Sequence, residues 1–476
     1  MMLLLSFALA RPLSYEEALQ AAEDANPEIA VARYDLKAAE ARAMAARGVW
    51  DPTLSVTGGR NYAVSEDSFG GFKTHTETTS VIWSASLGQT LPTGTSWSLE
   101  SGSSSSLIFL DIVEFGQEDA LFAQAGSNLT LGLSQQLLEG HKLAYNLEVV
   151  RQAETARSFA DAQLSMERQT IMLETSKAYF ELVYAEAALK VAQRALDVAL
   201  EERRIVRAQV EAGNLAPVEA TRVEAAVAQA QLTLIEAENA QAASNDALAG
   251  WMGLVGETFE PTSSTGEAPS LDIDMDRAVE AALQGNPAME LARLQVQDAQ
   301  LALSASRHAL LPSLSLDTRL GYSGFAQFED GTREASRDEA LGKLSSGDFP
   351  DRYVGATFTV PLGMRAERGE VGARVASVGS AESGMVTREQ SVTQQVRALV
   401  RTLSTAAQRI ELAELNLQLA RETLAAEKAR QEAGRAVQKD VLEAQRAVSN
   451  AELELLRART DYAKALAELQ AIQGKL

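Results

Sequence analysis

Two helical seams held at one fixed offset constrain this chain more than anything else in it. Leu399, Leu403, Ala406, Ile410, Ala413, Leu417, Ala420 and Leu424 recur at alternating spacings of four and three residues. That is an a/d pattern, the mark of a helix buried along one stripe against another helix. Ala178, Leu182, Ala185, Leu189, Ala192, Leu196 and Ala199 repeat it. Each seam runs into a glycine, at Ala212-Gly213-Asn214 and at Ala433-Gly434-Arg435, and after the second a new helix opens at Asp440-Val441-Leu442. Seam and glycine are both displaced by 221 residues. Two independent features at one offset mean an internal duplication. Length alone would suggest about three domains, but two similar halves can interleave into a single structure.

A second offset extends the repeat. Asn26-Pro27 matches Asn286-Pro287, Ala32-Arg33 matches Ala292-Arg293, and Arg47 matches Arg307, all 260 residues apart. At the same spacing Pro52-Thr53-Leu54-Ser55-Val56 matches Pro312-Ser313-Leu314-Ser315-Leu316. Each half thus begins with a helix that runs through a proline into a strand. Ser14 and Glu17 stand in capping-box spacing at the start of the first.

Beyond Pro52 the period switches from helical to two. Val81, Trp83, Ala85 and Leu87 alternate with Ser80, Ser84, Ser86 and Gly88; Leu129, Leu131 and Leu133 alternate with Thr130, Gly132 and Ser134. In the second half Leu314, Leu316, Leu320 and Tyr322 share one face, and Val354, Ala356, Phe358 and Val360 another. Strands of about ten residues, apolar on one side and small or polar on the other, suit a membrane β-barrel. They also suit a soluble sheet with a serine-rich solvent face. The connections favour the barrel: Leu91-Pro92-Thr93-Gly94 is a tight turn, whereas Ser65 to Thr76, Ile108 to Leu121 and Gln327 to Phe349 read as long polar loops.

The boundaries follow. Residues 1–10 read as a truncated export signal, with Leu3 to Leu9 apolar and Ala8-Leu9-Ala10 as the cleavage pattern. The first repeat covers 11–255, with strands over about 52–138, a long helix over 141–212 and a return helix over 217–250. A linker follows at 256–272. The second repeat covers 273–476, with strands over 312–362, a long helix over 364–433 and a return helix over 439–472. The chain is mainly α with a β-barrel segment.

Composition removes several classes. With 65 Asp and Glu against 43 Lys and Arg, neutralising nucleic-acid phosphates is disfavoured. No run of about 18 apolar residues forms a spanning helix. Cysteine is absent, which excludes disulfides and thiolate chemistry. His75, His141 and His308 stand apart from one another, without metal-ligand spacing. No phosphate loop, dinucleotide pattern or nucleophile elbow occurs. No catalytic residue, cofactor or metal is expected.

Strand, strand, long helix, glycine turn and return helix, duplicated, resembles the TolC family of outer-membrane efflux channels. The most specific residues are the two Asn-Pro pairs and the strand ends Leu133-Ser134-Gln135-Gln136-Leu137 and Phe358-Thr359-Val360-Pro361-Leu362. The turn segments Ala212 to Glu219 and Ala433 to Leu442 complete them. The resemblance covers the chain from about Leu13 to Gln473. It implies a homotrimer whose β-barrel sits in outer-membrane lipid and continues as a twelve-helix α-barrel across the periplasm. Its partners would be a periplasmic adaptor and an inner-membrane pump, and its cargo small molecules or polypeptides. By the same resemblance Gly213, Asn214, Gly434 and Arg435 form tips that touch the adaptor, and Asp440, Glu443 and Glu219 line the entrance. The family can carry Tyr before the tip glycine and Arg after it; here Gln431 and Ala436 stand there, so that inter-helix lock is in doubt.

Two other classes compete. A periplasmic coiled-coil adaptor would carry one hairpin in a split β-domain, and a secreted structural coiled coil would need no amphipathic strands. One expectation departs from the family: the surplus segment Thr78 to Leu107 reads as two further strands around the Leu91–Gly94 turn. Four strands in the first half and two in the second would let a trimer close an 18-stranded barrel instead of a 12-stranded one. The competing picture folds this hairpin back as a flap.

Overall fold

The computed structural model describes residues 11–69, 72–112, 120–262, 273–327, 336–433 and 438–476. The segment read as an export signal and most of the linker lie outside them. Two units divide the chain. One comprises residues through Ala38, Ser158–Leu294 and Glu382–Leu476; the other comprises Ala39–Arg157 and Gln295–Ala381.

In chain order the elements are β1 (Arg11–Leu13), α1 (Tyr15–Ala25), α2 (Pro27–Arg47), β2 (Thr53–Phe69), β3 (Phe72–Thr90), β4 (Thr95–Ile112) and β5 (Ala120–Gln136). Then come α3 (Leu143–Asn146), α4 (Glu148–Glu211), α5 (Pro217–Trp251), β6 (Phe259–Pro261), α6 (Met275–Gly285) and α7 (Pro287–His308). The chain ends with β7 (Ser313–Gln327), α8 (Arg337–Ser346), β8 (Pro350–Thr359), α9 (Arg365–Glu432) and α10 (Gln438–Ile472). No helix among the described residues is long and apolar enough to cross a membrane.

The helical unit holds two cores, one per repeat. In the first, Leu13, Ile29, Ile171, Tyr179, Leu182 and Met252 pack together. In the second, Met289, Val396, Leu403, Ile410, Tyr462 and Leu469 do. The seams explain them: Leu182 is fully buried, Leu403 nearly so, and Ala185, Ala192, Ala406 and Ile410 follow along the stripes. Each Asn-Pro pair breaks a helix for a definite reason. Asn26 Oδ1 accepts the main-chain N–H of Glu28 at 2.8 Å, an N-cap for α2 with proline at the first helical position. Asn286 does the same for Ala288 at 2.8 Å. Ion pairs join the repeats: Glu181 on α4 accepts from Arg457 at 2.9 Å and from Lys464, both on α10, and Lys177 reaches Glu468 at 2.8 Å.

The second unit holds one antiparallel sheet of six strands in the order β2-β3-β4-β5-β7-β8. The surplus hairpin is no flap, because β3 and β4 lie between β2 and β5. Gly94, at φ 75°, closes its turn with an N–H to the Leu91 carbonyl at 3.0 Å. Asn146 of α3 donates to Pro92 O at 2.8 Å, so the turn sits where the first long helix begins. That helix starts about two turns later than the sequence suggests, at Glu148, after the short α3.

Two of the expected loops shorten into strand. β2 pairs with β3 as far as Phe69 against Phe72, and β4 runs to Ile112. The polar residues there find partners on the sheet: His75 lies 3.8 Å from Glu66 opposite it on β2 and 3.5 Å from Glu77 two residues along its own strand. The continuous register puts Leu54, Val56, Trp83, Leu87, Trp97, Leu99, Leu131, Leu133, Leu320 and Phe358 on one face. Ser, Thr and Gly dominate the other.

The third expected loop, Gln327 to Phe349, contains α8, capped by Ser336 through the Glu339 N–H at 3.2 Å. It lies on the apolar face over a patch of small residues, with Ala125, Ala326 and Ala340 packed together. Ser127 Oγ donates to Ala340 O at 2.8 Å.

Candidate functional site at the helix tips

The first tip is a helix ending built by sequence. Gly213 adopts φ 74°, a left-handed conformation that glycine takes without steric cost. Its N–H donates to Val210 O at 3.0 Å, and the Asn214 N–H to Gln209 O at 2.9 Å. These two bonds satisfy the last carbonyls of α4 as a Schellman motif. Pro217 then opens α5 at its first position. Gly213 and Asn214 are exposed.

Glu219 lies in the first turn of α5 and is held by Arg222, one turn along, at 2.8 Å. Asp440 lies in the first turn of α10, half-buried, and Glu443 is exposed one turn further on. Asp440 and Glu443 therefore share one helix end, whereas Glu219 is engaged on its own helix. Gly434, Arg435 and Ala436 lie outside the described residues. Gln431 sits in the last turn of α9.

Sequence reasoning missed the charged residues above these tips. Glu224 of α5 meets Arg203 at 3.9 Å and Arg207, both on α4, which ties this hairpin together. Glu202 is the least ordinary: 4 % exposed, with Oε2 lacking a hydrogen-bond partner among the described residues. Burial pushes its carboxyl up to about 7, against the pull of Arg446 on α10. A signal for it exists. Continuing the seam past Ala199 by three and then four residues puts Glu202 and Val206 inside, and both are buried. Arg157 and Arg168 of α4 reach off their own helix, to Glu40 of α2 at 3.5 Å and Glu23 of α1 at 2.5 Å.

A continuous six-stranded sheet with one apolar face, duplicated long helices and a glycine-closed tip narrow the possibilities to a channel architecture. The model of the outer membrane efflux protein family matches residues 117–254 and 278–475. The chain belongs to that family. Outer membrane efflux proteins are channels, not enzymes, and the fold is the TolC-like one. The outer membrane channel CmeC of Campylobacter jejuni superposes with a TM-score of 0.68 at 15% identity, over 97% of this chain and 85% of that one. VceC of Vibrio cholerae gives 0.66 at 16% identity, over 97% and 96%. The cobalt-zinc-cadmium resistance protein CzcC of Cupriavidus metallidurans is 24% identical over 168 residues, which is 35% of this chain and 40% of CzcC. That match therefore spans well under half of the relative's length.

Proposed function

We propose that the protein is the passive outer-membrane duct of an export assembly, working as a homotrimer with a periplasmic adaptor and an inner-membrane pump. Its cargo would be small molecules or polypeptides handed over by the pump. The observation that carries this reading is the sheet: six strands with one apolar face and two edges, β2 and β8, whose residues are exposed almost throughout. An open edge is not tolerated in lipid, so the sheet needs further copies to close. A second apolar stripe supports copies in the helical part as well. Leu412, Leu415 and Leu419 recur on α9 at 66, 52 and 52 % exposure, away from the buried seam. Helices of 64 and 68 residues are about 100 Å long at 1.5 Å per residue, far beyond a hydrocarbon core of roughly 30 Å. That length suits a conduit through an aqueous gap.

In this reading Gly213, Asn214, Gly434 and Arg435 meet the adaptor. Three copies of Asp440 and Glu443 make acidic rings that favour cations, and Glu219 adds charge to the outer tip. Acids in a first helical turn also favour the macrodipole without further role, and recordings separate the two. In planar bilayers the channel should prefer cations and be blocked by multivalent ones, and Asp440→Ala should weaken both effects. Selectivity and block left unchanged by Asp440→Ala would return these residues to helix capping. A folded monomer as the only species in detergent would remove the trimer.

A further inference from the structure

Seven alanines stand on facing surfaces of α4 and α5, where helix packing ordinarily puts leucine. With Ala192, Ala195, Ala199, Ala226 and Ala230 among them, they leave a cavity of about 610 Å³ between α4, α5 and α10. That volume falls in the range of small-molecule sites, which are mostly apolar with a few placed polar groups. Here the placed group is Glu202. Its side chain lines the cavity, it is 4 % exposed, and its Oε2 has no hydrogen-bond partner among the described residues. A buried carboxylate left without a donor is costly, and a helix seam has no structural need for one. An alanine or leucine at 202 would extend the stripe.

The other charged groups on the cavity wall are accounted for. On α4 Arg194 faces Glu452 of α10 at 3.6 Å, and Glu452 is also held by Arg421 of α9 at 3.0 Å. Arg446 of α10 attracts Glu202 through space, and its side chain is exposed. Glu236 of α5 is exposed at the rim. The acids on the wall are Glu202, Glu236 and Glu452, against the bases Arg194 and Arg446. The site is thus a partly open cavity with alanine walls and a polar rim, and Glu202 is the acid on its wall with an oxygen that has no hydrogen-bond partner among the described residues.

We infer that this cavity is a binding site for a lipophilic organic cation, its charged head on Glu202 and its apolar body along the alanine walls. The inference does not depend on the acidic-ring reading of the tips. Glu202 lies 11 residues before Gly213 on α4, and its site lies within one chain.

Ethidium tests it, because its charge is permanent and any pH dependence must come from the protein. Dye fluorescence is titrated against the purified full-length channel in non-ionic detergent. Saturable binding at one site per chain is expected at pH 8. At pH 5.5, where Glu202 is mostly protonated and the competent form is scarce, it should weaken towards the same tenfold limit as the neutral variant below. Glu202→Gln, which keeps the shape, should lose about tenfold and become insensitive to pH. Ala195→Leu fills the box and should abolish binding; Ala230→Leu does so from the opposite wall and serves if the first variant fails to fold, as judged by circular dichroism. Wild-type binding that does not saturate, or an affinity unchanged in Glu202→Gln or in both folded leucine variants, overturns the site. Single-channel conductance without dye reports on the duct separately, so loss of the one is not mistaken for loss of the other.

Discussion

Asn26 donates from its side-chain amide to the carbonyl of Trp251 at 2.8 Å, tying the break between α1 and α2 to the last turn of α5. Asn286 repeats the arrangement with Ile472, the last residue of α10, at 3.2 Å. In both the same side chain also caps the following helix. One residue type therefore performs two tasks in each half: an ionised Asp has no donor to offer, and Ser would have to make both bonds from a single oxygen, whereas Asn uses two separate atoms.

Replacing Asn26 by Ala should remove both bonds at a site that is 4 % exposed. A lost cap costs about 1 kcal/mol and a buried carbonyl left without its donor about as much again. We expect Asn26→Ala to destabilise the chain by about 2 kcal/mol in denaturant unfolding. Asn26→Ser keeps a capping oxygen and should recover about half. Equal stability of all three proteins would show that the corner is held by packing alone.

The tip depends on glycine in a different way. A Cβ at Gly213 would meet nothing within 4 Å, so a substitution there is opposed only by the backbone conformation. The left-handed region costs a non-glycine residue about 1 kcal/mol, and less for asparagine. Gly213→Val should accelerate hydrogen exchange over residues 205–222 several-fold, Gly213→Asn should change it little, and neither should affect the core around Leu182. Exchange unchanged in the valine variant would mean the turn is not strained by side chains.

What could be read in advance was whatever repeats locally. The seams, the Asn-Pro corners and the Leu91–Gly94 turn each lie within a few residues of chain, and the duplication shows most of them twice. α8 could not be read so. Its ten residues carry no long apolar stripe, and what holds it is remote: Ser127 is 213 positions from Ala340, and Arg337 reaches Ser105 at 2.7 Å. The outer halves of β2 and β3 were hidden for a related reason, since Glu66 and His75 look like loop residues until they face one another across the ladder. Glu202 was overlooked because a carboxylate at a seam position runs against the pattern by which the seam is recognised.

α8 gives a third prediction. A Cβ at Gly324 would fall 1.9 Å from the Ala340 carbonyl oxygen, a backbone atom that cannot give way. Gly324→Val should dislodge α8 from the sheet while leaving the strand register intact. Cleavage by protease within Arg337–Ser346 should rise strongly, with helical content elsewhere unchanged. Unaltered protection would show that α8 is not seated on β7.

Glu202 makes stability depend on pH in a definite direction. Its carboxyl titrates near 7 in the folded chain instead of the ordinary 4.5, so the folded state binds the proton more tightly. Stability is then greatest below the unfolded value and falls as pH rises from about 4.5 to about 7, by about 3 kcal/mol per chain at most. Glu202→Gln should flatten this part of the profile and be the more stable protein at pH 8. A wild-type profile that rises across the same window, or one the variant shares, would contradict the assignment.

The last prediction concerns the number of strands. Each chain contributes six to its sheet, an even number, so β8 of one copy can meet β2 of the next antiparallel without disturbing the alternation. Three copies of six strands close eighteen, whereas the duplicated long and short helices still supply twelve columns. Barrel and conduit then differ in number. The hairpin of β3 and β4 is what adds the extra strands, and its Trp83 and Trp97 share the apolar face with Leu54 and Val56. In a closed barrel that face meets lipid. Single-tryptophan variants retaining Trp83 or Trp97 should be quenched strongly by lipids brominated on the acyl chain. Because the chain has no cysteine, Thr93→Cys introduces a unique label at the turn beside Asn146, and it should react only from the periplasmic side. Labelling of Thr93→Cys on intact cells by an impermeant reagent, or tryptophans untouched by the brominated chains, would take the hairpin out of the membrane and reduce the barrel to twelve strands.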